Sequence, residues 1–316
     1  MRAVVFDAFG GSERLRVAEV HKPSPSAGEV LIEVHCTSVN PVDWKIREGM
    51  LAGLFPYEFP IVPGWDAAGV VATPGKGVTG FRAGDKVYAY CRKPKVQHGT
   101  YAEYVTMAAD LVAPMPRNLD FAAASTIPLT GLTAWQSLFD AGTLSAGQKV
   151  LIHAGAGGVG SLAIQFAKTA GAIVYTTARG RNHAYVKGLG ADAAIDYTRE
   201  KFVDAVRALA PEGLDLVFDT VGEHVQRESY KTLKRGGMLV SIVNLPESGE
   251  AERYGVRTNF VFVSPNGGQL REIAALIEAG NVRPAEYEVM PLDRAAEAQE
   301  RSRTGHVRGK IVLNIR

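Results

Sequence analysis

The stretch Lys149 to Gly171, KVLIHAGAGGVGSLAIQFAKTAG, constrains this chain more than any other. Lys149 to His153 is a short apolar run with the β-branched content of a buried parallel strand. It breaks at Gly155-Ala156-Gly157-Gly158-Val159-Gly160. Beyond the break, Val159, Leu162, Ala163, Phe166, Ala167 and Ala170 keep the spacing of one helical face, and Gly171 stands where a C-cap glycine belongs. The glycine loop therefore opens a helix.

A strand that feeds a glycine loop at a helix N-terminus makes an anion site, because unpaired backbone N–H groups and the helix dipole point at the same place. Pyrophosphate is the expected guest. Gly155 is read as permitting the turn, Gly157 as admitting the ligand, and Gly160 as letting helix and strand close up, with Ala156, Gly158 and Val159 completing the cradle. A phosphate loop of the GxxxxGK[ST] kind is excluded, since Ser161 follows Gly160.

The next strand, Ala172 to Thr177, decides which dinucleotide fits. An NAD site places a carboxylate near its end for the ribose 2′-hydroxyl. No Asp or Glu occurs between Gly155 and Ala191; instead Arg179, Arg181, His183 and Lys187 follow Thr177. Guanidinium groups pair bidentately with phosphate, so the cluster favours NADP(H) and counts against FAD and S-adenosylmethionine. A solvated basic turn is the alternative.

With 35 basic and 33 acidic residues among 316, charge nearly cancels, and no electrostatic footprint for nucleic acid is expected. No run has the length of a membrane span, and the start MRAVVFDAFGG is too polar for a secretory signal. Cys36 and Cys91 imply no disulfide framework, so the expectation is a reduced, cytoplasmic protein. Short strands punctuated by Pro and Gly run to about Leu119 and suggest a partly open β-barrel. Helices are expected at 119–124 and 131–141. Strands at Ala193 to Tyr197, Leu214 to Thr220 and Met238 to Val243 alternate with helices, which demands a parallel doubly wound α/β sheet. Asn259 to Val263 reads as a further strand, Gly268 to Ala279 as an amphipathic helix, and the tail as returning to the barrel.

Four ordered motifs, NPVDWK (40–45), PGWDAAGVV (63–71), GFRAGDKV (80–87) and HAGAGGVG (153–160), carry a resemblance over the whole length. The chain resembles the medium-chain dehydrogenase/reductase superfamily in its zinc-free quinone oxidoreductase and enone reductase branch. That resemblance implies a GroES-like barrel, residues 1–118 completed by 264–316, and a Rossmann domain, residues 119–263, with the active cleft between them. Where zinc-dependent relatives carry Cys, His and Cys ligands, this chain resembles them but has Asn40, Trp65 and no cysteine in Pro128 to Thr133. No metal is expected, because tryptophan and a neutral amide do not hold zinc.

Without a Lewis acid, the remaining chemistry is hydride transfer from NADPH to a conjugated acceptor, a quinone or an α,β-unsaturated carbonyl. Asn40, Lys45 and Tyr57 are the candidate polar groups near the acceptor; local turn capping, a surface charge and a structural tyrosine are their respective alternatives. The resemblance places Asn40, Thr130 and Thr133 near the nicotinamide half and Tyr197 against the 2′-phosphate. It places Val221, Gly222, Val243, Phe260 and Phe262 at strand ends facing the cofactor, where core packing is an equal reading for the apolar ones. A homodimer paired through the Asn259 to Val263 edge is implied as well. A 2-enoyl-thioester reductase is a second reading, weakened by the lack of a Tyr shortly after the NPVD motif. A non-catalytic NADPH-binding redox sensor is a third.

Overall fold

The computed structural model describes residues 1–246 and 248–316. They form two compact units: Met1–Leu129 with Ser264–Gly280 and Pro284–Arg316, and Thr130–Val263 with Asn281–Arg283. The division falls later than residue 118. The helix Phe121–Ser125, expected to open the second domain, packs on strands Glu29–Val39 and Asp66–Pro74 and buries Ala123 and Ala124 there. The three residues 281–283 belong with the second unit because Gln165 holds Arg283 by a pair of backbone hydrogen bonds, of 3.0 and 2.9 Å.

The first unit is built on a seven-stranded sheet. Its path is Tyr287–Pro291, Lys310–Asn314, Glu29–Val39, Asp66–Pro74, Lys86–Tyr90 and Val112–Pro114, with Tyr104–Ala108 also pairing on Glu29–Val39. The central strand is the long one, EVLIEVHCTSV, whose Val30, Ile32 and Val34 enter the core with Val71, Val87 and Val105. Gly69 is required where it crosses Glu33: a Cβ there would lie 1.9 Å from the Glu33 carbonyl oxygen. Directly after the central strand comes a seven-residue helix, Pro41–Arg47. Its length hides it from any periodicity argument, but its start is well specified: Asn40 and Asp43 form a capping box and Pro41 takes the first turn.

In the second unit six strands, all parallel, run in the order Ala193–Ile195, Ile173–Thr177, Lys149–Ile152, Leu214–Asp219, Leu233–Ser241, Arg257–Phe260. In its own sequence order this is 3-2-1-4-5-6, the doubly wound Rossmann arrangement. The helix Gly158–Thr169 is buried all round from Gly160 to Ala167, rather than on one face. Gln165 tolerates this burial through its bonds to Arg283. The edge strand is Arg257–Phe260, so Phe262 lies past its end. The expected 131–141 helix is Pro128–Trp135 continued by a wider π-helical turn, Gln136–Ala141. Among the described residues no helix is long and apolar enough to cross a membrane.

Candidate active site

The glycine loop has the expected shape for a reason partly different from the expected one. The residue with positive φ is Ala154, at 51°. Gly155 is instead a packing glycine, since a Cβ there would lie 2.0 Å from Thr176 Oγ1. At Gly160 a Cβ would meet the Ala154 carbonyl oxygen at 2.4 Å, so helix and loop touch backbone to backbone. Gly157 differs from both: its Cβ would reach nothing nearer than Ala154 O at 3.4 Å, an ordinary contact. The space over Gly157 is thus open from the protein side, and the first three N–H groups of the helix, at Gly158, Val159 and Gly160, have no intrahelical acceptor. These features fit a pyrophosphate.

Thr177 braces the loop from the neighbouring strand. Its carbonyl accepts from Gly155 N and its hydroxyl oxygen from Ala154 N. It is buried, a strut rather than a ligand contact. His153 is likewise a core residue, its ring bridging Thr177 Oγ1 (3.1 Å) and Ser229 Oγ (2.9 Å), and burial pushes its pKa down to about 4.

Of the basic cluster, the structure brings Arg179 and Tyr197 together: Arg179 Nε donates to the Tyr197 hydroxyl at 3.0 Å, with Tyr197 49% exposed. Arg181 is exposed nearby, whereas His183 turns back toward the Ala178 carbonyl at 3.2 Å. A carboxylate at this corner, Asp196, accepts from the backbone N–H of Gly180 and of Thr198 and from the Thr198 hydroxyl. Those bonds use it as a turn cap. At the next strand end, Val221 N and Gly222 N both donate to Asp219 Oδ1, which holds this loop with Val221 exposed. Gly222, at φ +86°, cannot carry a side chain, because Asn244 and Val243 fill the space. Thr130 and Thr133 are buried, Val243 and Phe260 are half-buried and Phe262 is exposed.

The polar residues of the first unit are arranged less simply. Asn40 is 1% exposed, and its amide is engaged on all sides. Nδ2 donates to Asp66 Oδ2 (2.7 Å) and more weakly to Ser38 O (3.3 Å), while Oδ1 accepts from Lys310 Nζ. Asn40 thus stands at the N-cap position with both amide hydrogens engaged within the protein, which argues against its expected role as a catalytic donor. Asp66 is fully buried and also accepts from Ser38 Oγ and Leu129 N, both at 2.7 Å. Lys310, 5% exposed, donates to Val39 O and faces Asp66 at 3.8 Å. Burial raises the Asp66 carboxyl and lowers the Lys310 ammonium, and each opposes the shift of the other. Asp43 accepts from Asn40 N and from the Tyr101 hydroxyl, both at 2.9 Å; burial pushes it up to about 7, and its Oδ1 has no partner among the described residues.

Two of the expected polar groups remain available. Lys45 is half-buried, burial lowers its pKa, and its ammonium, 5.7 Å from the Trp44 ring centroid, forms no hydrogen bond or ion pair among the described residues. The Tyr57 hydroxyl is buried without a hydrogen-bond partner among the described residues, its ring edge-on to Phe9, and burial raises its pKa. A desolvated cation and a desolvated donor, each lacking an acceptor, are costly unless something else supplies one. Sequence reasoning missed Arg47, Tyr101 and Gln299 and left Lys310 without a role; all sit in the same buried network.

The position of the second zinc ligand is taken by Trp65, buried between Phe55 and Tyr90 with ring centroids 6.3 and 5.9 Å away. Among the described residues no group of three His, Cys, Asp or Glu side chains is placed to hold a metal. The donor set does not fit zinc.

A 3-2-1-4-5-6 parallel sheet with this loop, in one chain with a GroES-like barrel, defines a dinucleotide-dependent oxidoreductase. Comparison with known proteins narrows the class. Residues 26–117 match the alcohol dehydrogenase GroES-like domain and residues 189–313 the zinc-binding dehydrogenase family. The chain is 37% identical to the chloroplastic NADPH-dependent alkenal/one oxidoreductase of Arabidopsis thaliana, over 99% of this chain and 79% of that one. Among solved structures, the quinone oxidoreductase of Coxiella burnetii superposes with a TM-score of 0.90 at 35% identity, covering 100% and 99% of the two chains. The Escherichia coli quinone oxidoreductase complexed with NADPH gives 0.89 at 26% identity, over 100% of both. The chain belongs to the medium-chain dehydrogenase/reductase superfamily, in its zinc-free quinone oxidoreductase branch.

Proposed function

We propose that this oxidoreductase uses NADPH to reduce quinones or α,β-unsaturated carbonyls without a metal. The observation that carries the reading is Lys45, a half-buried ammonium with no counter-ion among the described residues. The names of the relatives support the acceptor class, and the meeting of Arg179 with Tyr197 supports the 2′-phosphate.

NADPH, when bound, supplies a hydride; the chain's residues do the rest. The loop N–H groups at Gly158, Val159 and Gly160 hold the pyrophosphate, and Arg179 with Tyr197 holds the 2′-phosphate. Reduction of such an acceptor would leave negative charge on its carbonyl oxygen, since the acceptor's own π pair shifts along the conjugated system to that oxygen as the new C–H bond forms. A cation placed there stabilises that oxygen, and in a desolvated setting such stabilisation is large. Lys45 takes this role, and its lowered pKa makes it a better proton donor to the same oxygen. Tyr57 is the second donor. We further propose that the free edge Arg257–Phe260 pairs across a two-fold in a homodimer.

The test is cofactor oxidation by purified protein with chelator present, using NADPH and NADH against 9,10-phenanthrenequinone and a short alkenal. Turnover that survives chelation and favours NADPH is expected. Tight NADPH binding with no oxidation by either acceptor would sink the reading.

A further inference from the structure

Arg47 is the largest fully buried side chain in the molecule, and a buried guanidinium calls for an explanation. It closes the helix Pro41–Arg47 at the end opposite Asn40. Its Nε donates to Gly10 O (3.2 Å), Nη1 to Gln299 Oε1 (2.8 Å), and Nη2 to Glu48 Oε1 and Glu300 Oε1 (3.0 Å each). Gln299 is itself fully buried, on the helix Ala295–Arg303. At the other end, Asn40 is held by Asp66 and Lys310, and Asp43 by Tyr101. A helix of two turns has little stability of its own. This one is fixed at both ends by charged groups taken out of water, and Lys45 lies between them.

We propose that Arg47 and Gln299 at one end, and Asp66 and Lys310 at the other, are positioning residues that fix the helix Pro41–Arg47 and through it aim the Lys45 ammonium. This rests on the reading of Lys45 as the acceptor's donor. The pattern argues for aim rather than bulk stability: apolar side chains of similar volume usually stabilise a core as well as buried ion pairs do. What such a network adds is a single orientation, because the Arg47 guanidinium meets Gly10 O, Gln299 Oε1, Glu48 Oε1 and Glu300 Oε1 together in one geometry only. Misplacing a catalytic group by about 1 Å costs on the order of a hundredfold in rate.

The experiment is a double-mutant comparison. Arg47→Lys and Gln299→Met are each made in the parent enzyme and in Lys45→Met, and kcat/KM is measured with NADPH and 9,10-phenanthrenequinone. Amide exchange of the 41–47 segment is followed in parallel. Each substitution is expected to lower kcat/KM about tenfold when Lys45 is present, and by no more than roughly twofold when it is absent, because residues that act through a common group are not additive. Exchange of the segment quickens in both backgrounds. Equal losses in the two backgrounds, or none in either, overturn the proposal while leaving Lys45 as donor. A Lys45→Met enzyme as fast as its parent removes the donor reading itself, and the proposal with it. Should Arg47→Lys fail to fold, Gln299→Met carries the comparison, since it leaves the pairing of Arg47 with Glu48 and Glu300 intact.

Discussion

The glycine loop of the second unit and the Pro41–Arg47 helix of the first do comparable work by opposite means. The loop is made of backbone from one continuous stretch, and its specificity lies in side chains that are missing: Gly155 and Gly160 because neighbours press on them, Gly157 because a ligand must approach. The helix is held by side chains from four separated segments, around residues 40–48, 66, 101 and 299–310, and by the backbone carbonyl of Gly10. A site of the first kind fails by addition of a methyl group. A site of the second kind fails by loss of a partner.

The largest expected effect tests the first half of that contrast. Gly155→Val drives its Cβ into Thr176 and Ile164 and should abolish NADPH binding together with a stability loss of about 3 kcal/mol or more. Gly157→Ala should leave the melting temperature where it is and still weaken NADPH in a fluorescence titration by about tenfold. If both variants lose stability and affinity together, the distinction between packing glycine and ligand glycine is wrong.

Next in size, Lys310→Met leaves Asp66 buried without its cation and should cost about 3–5 kcal/mol in urea unfolding. A loss under about 1 kcal/mol would show that Asp66 is carried by its hydrogen bonds alone.

Asp43 sharpens the same point through pH. Its carboxyl stands above the ordinary 3.8, at about 7, because burial outweighs the Asn40 and Tyr101 bonds. The folded state therefore keeps a proton that the unfolded chain gives up, and the stability this brings is full below pH 3.8 and lost as pH rises to about 7. Asp43→Asn mimics the protonated form. It should match the parent near pH 4 and exceed it at pH 8, by at most about 4 kcal/mol for a shift of this size. Parallel stability curves across that window would refute the assignment.

The smallest effect belongs to the exposed corner. Arg179→Ala should raise KM for NADPH about tenfold and change that for NADH by less than about twofold, since a solvated phosphate contact is worth little more. Equal effects on both cofactors would leave the Arg179–Tyr197 pair as surface structure.

The parallel doubly wound class of the sheet and the glycine loop were legible because their determinants are local. Strand, glycines and helix lie within Lys149 to Gly171, and nothing distant is needed to interpret them. Even there, the sign that the positive φ falls on Ala154 and not on Gly155 depends on how closely Thr176 approaches, which no local pattern reveals. The barrel helix was legible only at its start, where Asn40-Pro41 and Asp43 spell a capping box, and that signal argued for Asn40 as a cap. Arg47 and Lys310 look like surface charges in sequence. Their burial follows from partners hundreds of residues away, as in the pairing of Arg47 with Gln299 at a separation of 252.

That separation sets an order of events during synthesis. When the ribosome has released the second unit's glycine loop, that loop already has the strand and helix it needs. The NPVD helix, made much earlier, must wait with Asp66 lacking its Lys310 cation and Arg47 lacking Gln299 and Glu300 until the last segment emerges. A chain cut short before Gln299 would therefore keep the local determinants of the glycine loop and lose the partners that fix the 41–47 helix at both ends.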